Sequence, residues 1–113
     1  MTDIFRNQSL GPPIDIIAGD TTVLNPLVNR VAVTSFSIHN TTAGAVVVDV
    51  YESPDSTSAA GERIAQYSVG ANSSIDVIEC IGQGYIVGQN LIAVGAGVGT
   101  NARLSQTDYT NAT

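Results

Sequence analysis

Residues 31–52, VAVTSFSIHNTTAGAVVVDVYE, constrain the fold of this chain more than any other stretch. Two runs of β-branched and aromatic residues flank the polar segment Asn40-Thr41-Thr42-Ala43-Gly44. Such residues suit a pleated, half-buried surface, and turn formers between them suit chain reversal, so the stretch predicts a β-hairpin. Val31 and Val33 fall on one face of the first run, Phe36 and Ile38 on the other. That change of phase predicts a bulge or burial on both sides. In the second run Val46, Val48 and Val50 alternate with Val47, Asp49 and Tyr51, the period of a strand.

The same reading extends along the chain. Short strands are predicted over residues 14–18 and 21–24 around Gly19-Asp20, with a helical turn over 24–29 after Asn25-Pro26. Residues 63–69 and 73–81 read as a strand pair joined by a turn, and 85–87 and 91–94 as short strands around Gly88-Gln89-Asn90. Residues 101–107 form a closing strand, 53–61 (SPDSTSAAG) a flexible loop, and 110–113 a tail. About eight strands with turns every eight to twelve residues is the spacing of a sandwich. Helix formers are sparse and apolar residues rarely recur at helical spacing. The predicted fold is all-β: one small antiparallel β-sandwich, jelly-roll-like, over residues 14–113, preceded by an extended arm over 1–13. Gly11-Pro12-Pro13 restrains the arm to extended geometry, and Ile4, Phe5 and Leu10 give it apolar anchors.

With 113 residues the chain is one domain of ordinary size, able to bury a single core. It has no lysine; its four cations are Arg6, Arg30, Arg63 and Arg103, set against ten acidic residues for a net charge of -6. Scattered arginines on an acidic chain give no grip on phosphate, which argues against nucleic acid and anionic membranes as partners. The N-terminus lacks a basic region followed by an apolar run, so no secretory signal is expected. No segment has the roughly 20 apolar residues of a membrane span. One cysteine allows no internal disulfide, which fits synthesis in a reducing cytoplasm. The four Asn-x-Ser/Thr triplets, beginning at Asn7, Asn40, Asn72 and Asn111, read as turn chemistry.

Candidate chemistry is thin. The segment GAGVG at residues 95–99 resembles the opening of a dinucleotide-binding turn. Thr100 stands where the fingerprint needs its third glycine, and no helix and second strand can follow, so β-turn glycine is the reading. His39, the only histidine, has no partner for nucleophilic catalysis at a suggestive spacing and reads as a strand-end residue. Zinc needs more Cys and His than the chain has. Asp15, Asp20, Asp49, Glu52 and Asp76 show none of the close spacing of a calcium loop. Asp49 and Asp76 alternate with apolar neighbours, as wet-face carboxylates or as partners for an arginine of a neighbouring subunit. Cys80 lies in an apolar run and reads as core. No cofactor and no catalytic residue is expected.

The order TSFSIHNTTAGAVVVDVYESPD, RIAQYSVGANSSIDVIE, GYIVGQNLIAV and NARLSQTDY resembles small virion proteins of tailed bacteriophages. The matching pieces are Ile38 and Asn40, the Val-rich residues 46–50, the small turn 71–74, residues 88–94 and the terminal strand 104–109. The resemblance implies a β-sandwich at the virion surface, a non-enzymatic capsid decoration or cement subunit, with the neck or tail as the alternative site. Its partners would be the major capsid protein and further copies of itself, as a dimer or trimer. A subunit stapled to a particle needs edges and arms that add to neighbours. The expected interface is therefore Ile4, Phe5, Arg6, Leu10, Pro12, Pro13 and Ile14 in the arm, with Asp108 and Tyr109 near the C-terminus. A carbohydrate-binding sandwich for host adhesion is the contrasting expectation; it would need a stacking platform built from Tyr51, Tyr67, Tyr85 and Tyr109, since tryptophan is absent.

Overall fold

Runs of alternating β-branched residues become strands wherever one face can be buried. The computed structural model describes residues 3–7, 13–27, 30–95, 97 and 99–111, for 3–7 and 109–111 as backbone alone. Ten strands are assigned: β1 Asp3–Asn7, β2 Ile14–Asp15, β3 Asp20–Leu24, β4 Arg30–Asn40, β5 Val46–Ser53, β6 Glu62–Val69, β7 Ser73–Asp76, β8 Gly84–Tyr85, β9 Asn90–Val94 and β10 Thr100–Asn111. The only helical element among the described residues is a single 3-10 turn, Ser58–Ala60.

Strand pairing defines the topology. The front sheet has the order β1-β10-β4-β7, with β2 also on β10 and β8 also on β4. β1 and β2 thus lie end to end along one edge, and β7 and β8 along the other. The back sheet has the order β3-β9-β5-β6, and every pairing in both sheets is antiparallel. Each sheet therefore has four strand positions. The pairings nest from the outside inward: β1 and β2 with β10, β3 with β9, β4 with β7 and β8, β5 with β6. A long hairpin rolled onto itself gives this nesting, which is the jelly roll. The sandwich read from the sequence is the fold observed.

The local pairings differ from the sequence reading. β4 and β5 do not form a hairpin: β4 pairs with β10, β7 and β8, whereas β5 pairs with β6 and β9. Residues 41–45 carry the chain from one sheet to the other. Likewise β6 and β7 are in opposite sheets and do not pair. The physical reason is visible at Asn40. Its side chain is buried and donates from Nδ2 to the carbonyls of Gly44 at 2.8 Å, Val69 at 3.1 Å and Gly70 at 3.1 Å. Its Oδ1 accepts from Thr42 N at 3.0 Å and Thr42 Oγ1 at 2.7 Å. A turn centred on an inward-pointing amide bends the chain over the core edge, and the strands separate.

Other expectations are adjusted at their ends. The strand read over 14–18 is only Ile14–Asp15, residues 25–27 hold no helical turn, and the strand read over 85–87 stops at Tyr85. Thr110 and Asn111, read as tail, continue β10. Residues 3–7 of the expected arm form β1, paired with β10 in the register Asp3 to Asn111 and Asn7 to Thr107. Of the two outcomes left open for β4, a bulge or burial on both sides, the bulge is present: Ser105 pairs with Ser35 and Gln106 with Val33, so Thr34 is the extra residue. The Ser105 hydroxyl closes it, 2.7 Å from Thr34 Oγ1 and 2.6 Å from Ser35 Oγ.

The core lies between the sheets. Val31, Val33, Phe36, Ile38, Ile16, Val77 and Ala102 meet Val23, Leu24, Val48, Val50, Ala65, Val69, Leu91 and Ala93. Each large side chain buried this way contributes about 1.5–3 kcal/mol relative to exposure.

Candidate functional site

The two ends of the sandwich differ in kind. At one end, loops 41–45, 70–72 and 95–99 are tied together by polar groups. Around the Asn40 amide, Thr41 donates from N and Oγ1 to the Gly99 carbonyl, each at 2.8 Å, and Asn72 N donates to Thr42 O at 3.1 Å. Gly97 and Gly99 have φ of 112° and 94°, the left-handed geometry that glycine adopts at no steric cost. These glycines are turn residues, as read. Ile17 and Val47, 53% and 52% exposed, flank these loops.

The opposite end carries the connections after β3, β5 and β8. Leu91 pairs with both Leu24 and Glu52, which brings these three connections side by side. Leu27 is 82% exposed, Val87 65% and Ile86 51%. All three stand on connections that the register brings to this end of the sandwich. The ribbon of β1 and β10 runs out at this same end, because Tyr109 pairs with Arg30 at the start of β4 and with Phe5.

The expected interface residues divide as follows. Ile4, Phe5 and Arg6 are on β1, opposite Thr110, Tyr109 and Asp108 of β10. The arm and C-terminal candidates are therefore brought together in one ribbon. Pro13 is exposed and Ile14 half-buried at the start of β2. Leu10 and Pro12 lie outside the described residues. Sequence reading missed Leu27, Ile86 and Val87, because an apolar pair after Tyr85 looks like more strand.

Between the loops after β5 and β8 lies a shallow cleft of about 250 Å³, lined by Glu52, Ser53, Gly61, Glu62, Gly88 and Gln89 among others. Glu52 and Glu62 are directly opposite in the β5–β6 register and so share a face. Neither makes an ion pair among the described residues; Arg63 instead approaches Asp49 at 3.8 Å. Gly61 cannot be enlarged, since a Cβ there would overlap the Glu52 carbonyl and Ser53.

Residues 54–61, read as a flexible loop, form a strap across the back sheet. Asp55 Oδ1 accepts from Thr57 N and Oγ1, each at 2.7 Å, and Ser53 Oγ donates to Thr57 O at 2.7 Å. Asn90 Nδ2 donates to Asp55 O at 3.0 Å, and Ser58 N to Asp20 Oδ2 at 3.1 Å. The strap thus spans from β9 to β3 over the outer face. Ile92, on that face between Thr22 and Tyr51, is fully buried yet stands apart from the inter-sheet core. Hydrogen bonds from the Thr57 hydroxyl, then from Thr57 N–H and Ser53, hold the Asp55 carboxyl below its ordinary range.

The remaining chemical candidates are structural. Cys80 and Tyr85 are both buried, and burial is the main cause that raises both groups. Tyr67 is raised first by burial and next by its hydrogen bond to Glu79. Ser37 Oγ lies 3.1 Å from His39 Nε2, the reach of a nucleophile and its base. Both sit on the open face of the front sheet, and no carboxylate holds the other ring nitrogen among the described residues. Asp49 accepts from Gln66 at 2.8 Å, and Asp76 is exposed opposite Ser37, both on outer faces. Among the described residues no three His, Cys, Asp or Glu side chains are grouped to hold a metal ion. Compared with known proteins, the chain matches no family model, no curated protein and no solved structure.

Proposed function

We propose that this protein is a non-enzymatic structural subunit of a tailed-bacteriophage virion, a cement or decoration protein that binds and bridges major capsid subunits. The observation that supports this most is the polarity of the sandwich. One end is tied up by its own hydrogen bonds, while the other presents Leu27, Ile86 and Val87 beside the terminal ribbon. A jelly roll whose loops at one end carry large exposed apolar side chains beside the terminal ribbon is suited to docking by that end onto a lattice of identical neighbours. Closed symmetric assembly is the common solution for such subunits, so a dimer or trimer at a capsid symmetry axis is the expected form. The resemblance over residues 31–109 adds to this reading; fold alone does not, since jelly rolls serve many functions. A neck or tail position would use the same surface and differs in copy number.

Adhesion to sugars is less well supported. Tyr85 is buried and the Tyr67 hydroxyl is engaged by Glu79, which leaves a poor stacking platform. The test is to add purified protein to particles that lack it and locate the added density by electron cryomicroscopy. Leu27→Asp combined with Val87→Asp should keep the unfolding midpoint and lose decoration. Full decoration by this double variant would remove the open end from the account.

A further inference from the structure

An open sandwich leaves main-chain donors and acceptors unpaired along its outermost strands, and proteins blunt such edges with short strands, charge, proline, bulges or cover. Most edges here are blunted. β2 and β8 have two residues each, and β7 has four and ends on Asp76. β3 carries a bulge at Val23 and the Asp20 carboxylate, which accepts from the strap. β1 carries Asp3 and Arg6. β6 is different. It runs for eight residues at the edge of the back sheet and pairs only with β5. Its bulge at Ile64 and its two charges, Glu62 and Arg63, are all at its start. Residues 65–69 then run in unbroken register against residues 46–50, with no charge, glycine or proline. Beyond β5, the only bond to the main chain of this stretch among the described residues is from the Asn40 amide to the Val69 carbonyl. Tyr67, opposite the buried Val48, reaches across the seam between the sheets to Glu79, and Ile78 beside Glu79 is exposed. An apolar side chain thus flanks the middle of the open strand.

We propose that two copies of this chain associate through β6, strand to strand and antiparallel about a two-fold axis, so that their back sheets become one sheet of eight strand positions. An open edge recognises an extended strand by main-chain hydrogen bonds, and side chains decide which strand is admitted. Each copy has a net charge of -6, so two copies approach best where neither presents acid. A two-fold axis through any of residues 66–68 sets Glu62 and Arg63 against uncharged residues of the other copy. It also keeps Ala65, Tyr67 and Val69 on the inner face of the joined sheet and the exposed Gln66 and Ser68 on the outer face. The same patch serves both copies, as an isologous dimer requires. This contact does not rest on the virion reading.

Sedimentation velocity of the full chain over a concentration series tests the proposal. The wild type should form a dimer that tightens as salt is raised, because screening removes the repulsion between two acidic copies. Gln66→Lys combined with Ser68→Lys brings lysines of the two copies together at the axis, the device that keeps natural edges apart. Both side chains are exposed, and a lysine at 66 can still reach Asp49. This variant should keep the urea unfolding curve of the monomer and raise the dimer dissociation constant about tenfold or more. Leu27→Asp with Val87→Asp should leave the dimer unchanged. In a dimer mixed from isotope-labelled and unlabelled chains, NMR should show contacts between copies at residues 65–69. A chain that stays monomeric up to about 1 mM, a dimer lacking those contacts, or a dimer indifferent to the lysines overturns the proposal. If the free chain is monomeric and particles protect the amides of residues 65–69, the edge belongs to the capsid partner and the dimer is overturned. A dimer in solution with no binding to particles upholds this contact and removes the virion reading.

Discussion

Replacing Asn40 should be among the most damaging single changes in the chain. The side chain is 1% exposed and makes five hydrogen bonds, three as donor and two as acceptor. These bonds are not worth five independent increments, because two amide protons serve three carbonyls. Gly44 and Gly70 are exposed, so water can replace the amide at their carbonyls, and Thr42 Oγ1 also donates to Gly44 O at 2.8 Å. Val69 is fully buried and its carbonyl loses this donor, as Thr42 N loses its acceptor. At about 1 kcal/mol net per ordinary hydrogen bond and about 1–3 for a stranded buried group, Asn40→Ala should cost roughly 2–4 kcal/mol. For a domain of this size that lowers the unfolding midpoint by roughly 8–15 °C. Asn40→Asp sharpens the test. It keeps the acceptor toward Thr42 but turns a second oxygen toward three carbonyls. Burial and those dipoles raise the new carboxyl above its unfolded value, so the neutral form is favoured in the folded state. Its relative stability is then highest below the unfolded value of about 4 and falls as pH rises through the folded one. Urea unfolding of wild type and both variants across pH 3–8 measures this. A cost below about 0.5 kcal/mol for Asn40→Ala, the level of an ordinary surface change, would refute the reasoning.

Three further outcomes are expected. Ile92→Ala should cost about 2–4 kcal/mol despite lying on an outer sheet face, measured by denaturant unfolding; a loss near zero would mean that the strap covers nothing. Asp55, held low by Thr57 and Ser53, stabilises the strap above the unfolded carboxylate value, and this is lost as pH falls through the folded value. Amide exchange at Thr57 and Ile92 should accelerate in that acid window relative to the core of β4. Tyr85, Tyr67 and Cys80 are all raised, so the unfolded chain releases their protons first and stability should decline as pH rises above about 9–10. Tyr85→Phe should lessen that decline, and thiol labelling of Cys80 should track unfolding.

The sandwich was legible in the sequence because period-two alternation and turn spacing report burial directly. The bulge at Thr34 was legible too, as the change of phase between Val33 and Phe36. Pairing was not. A turn such as Asn40-Thr41-Thr42-Ala43-Gly44 looks the same whether it closes a hairpin or lifts the chain to the opposite sheet. The difference is which way Asn40 points, and that depends on the Val69 and Gly70 carbonyls far along the chain. Residues 54–61 misled for a similar reason: Ser, Asp and Thr suit a mobile loop, but here they hydrogen-bond one another and reach Asp20 and Asn90. At the open end, Phe5 and Tyr109 were legible as apolar ends of the chain. Ile86 and Val87 were hidden because the strand ends one residue earlier than their pattern suggests.

The central proposal is that this chain is a repeating part of a virion. Quantitative mass spectrometry of purified particles, counting it against the major capsid protein, tests this most directly. A ratio near one, or a simple fraction of one, is the predicted result for a cement subunit on a symmetric lattice. About a dozen copies or fewer would place it at the neck or tail, and its absence from particles would contradict the proposal.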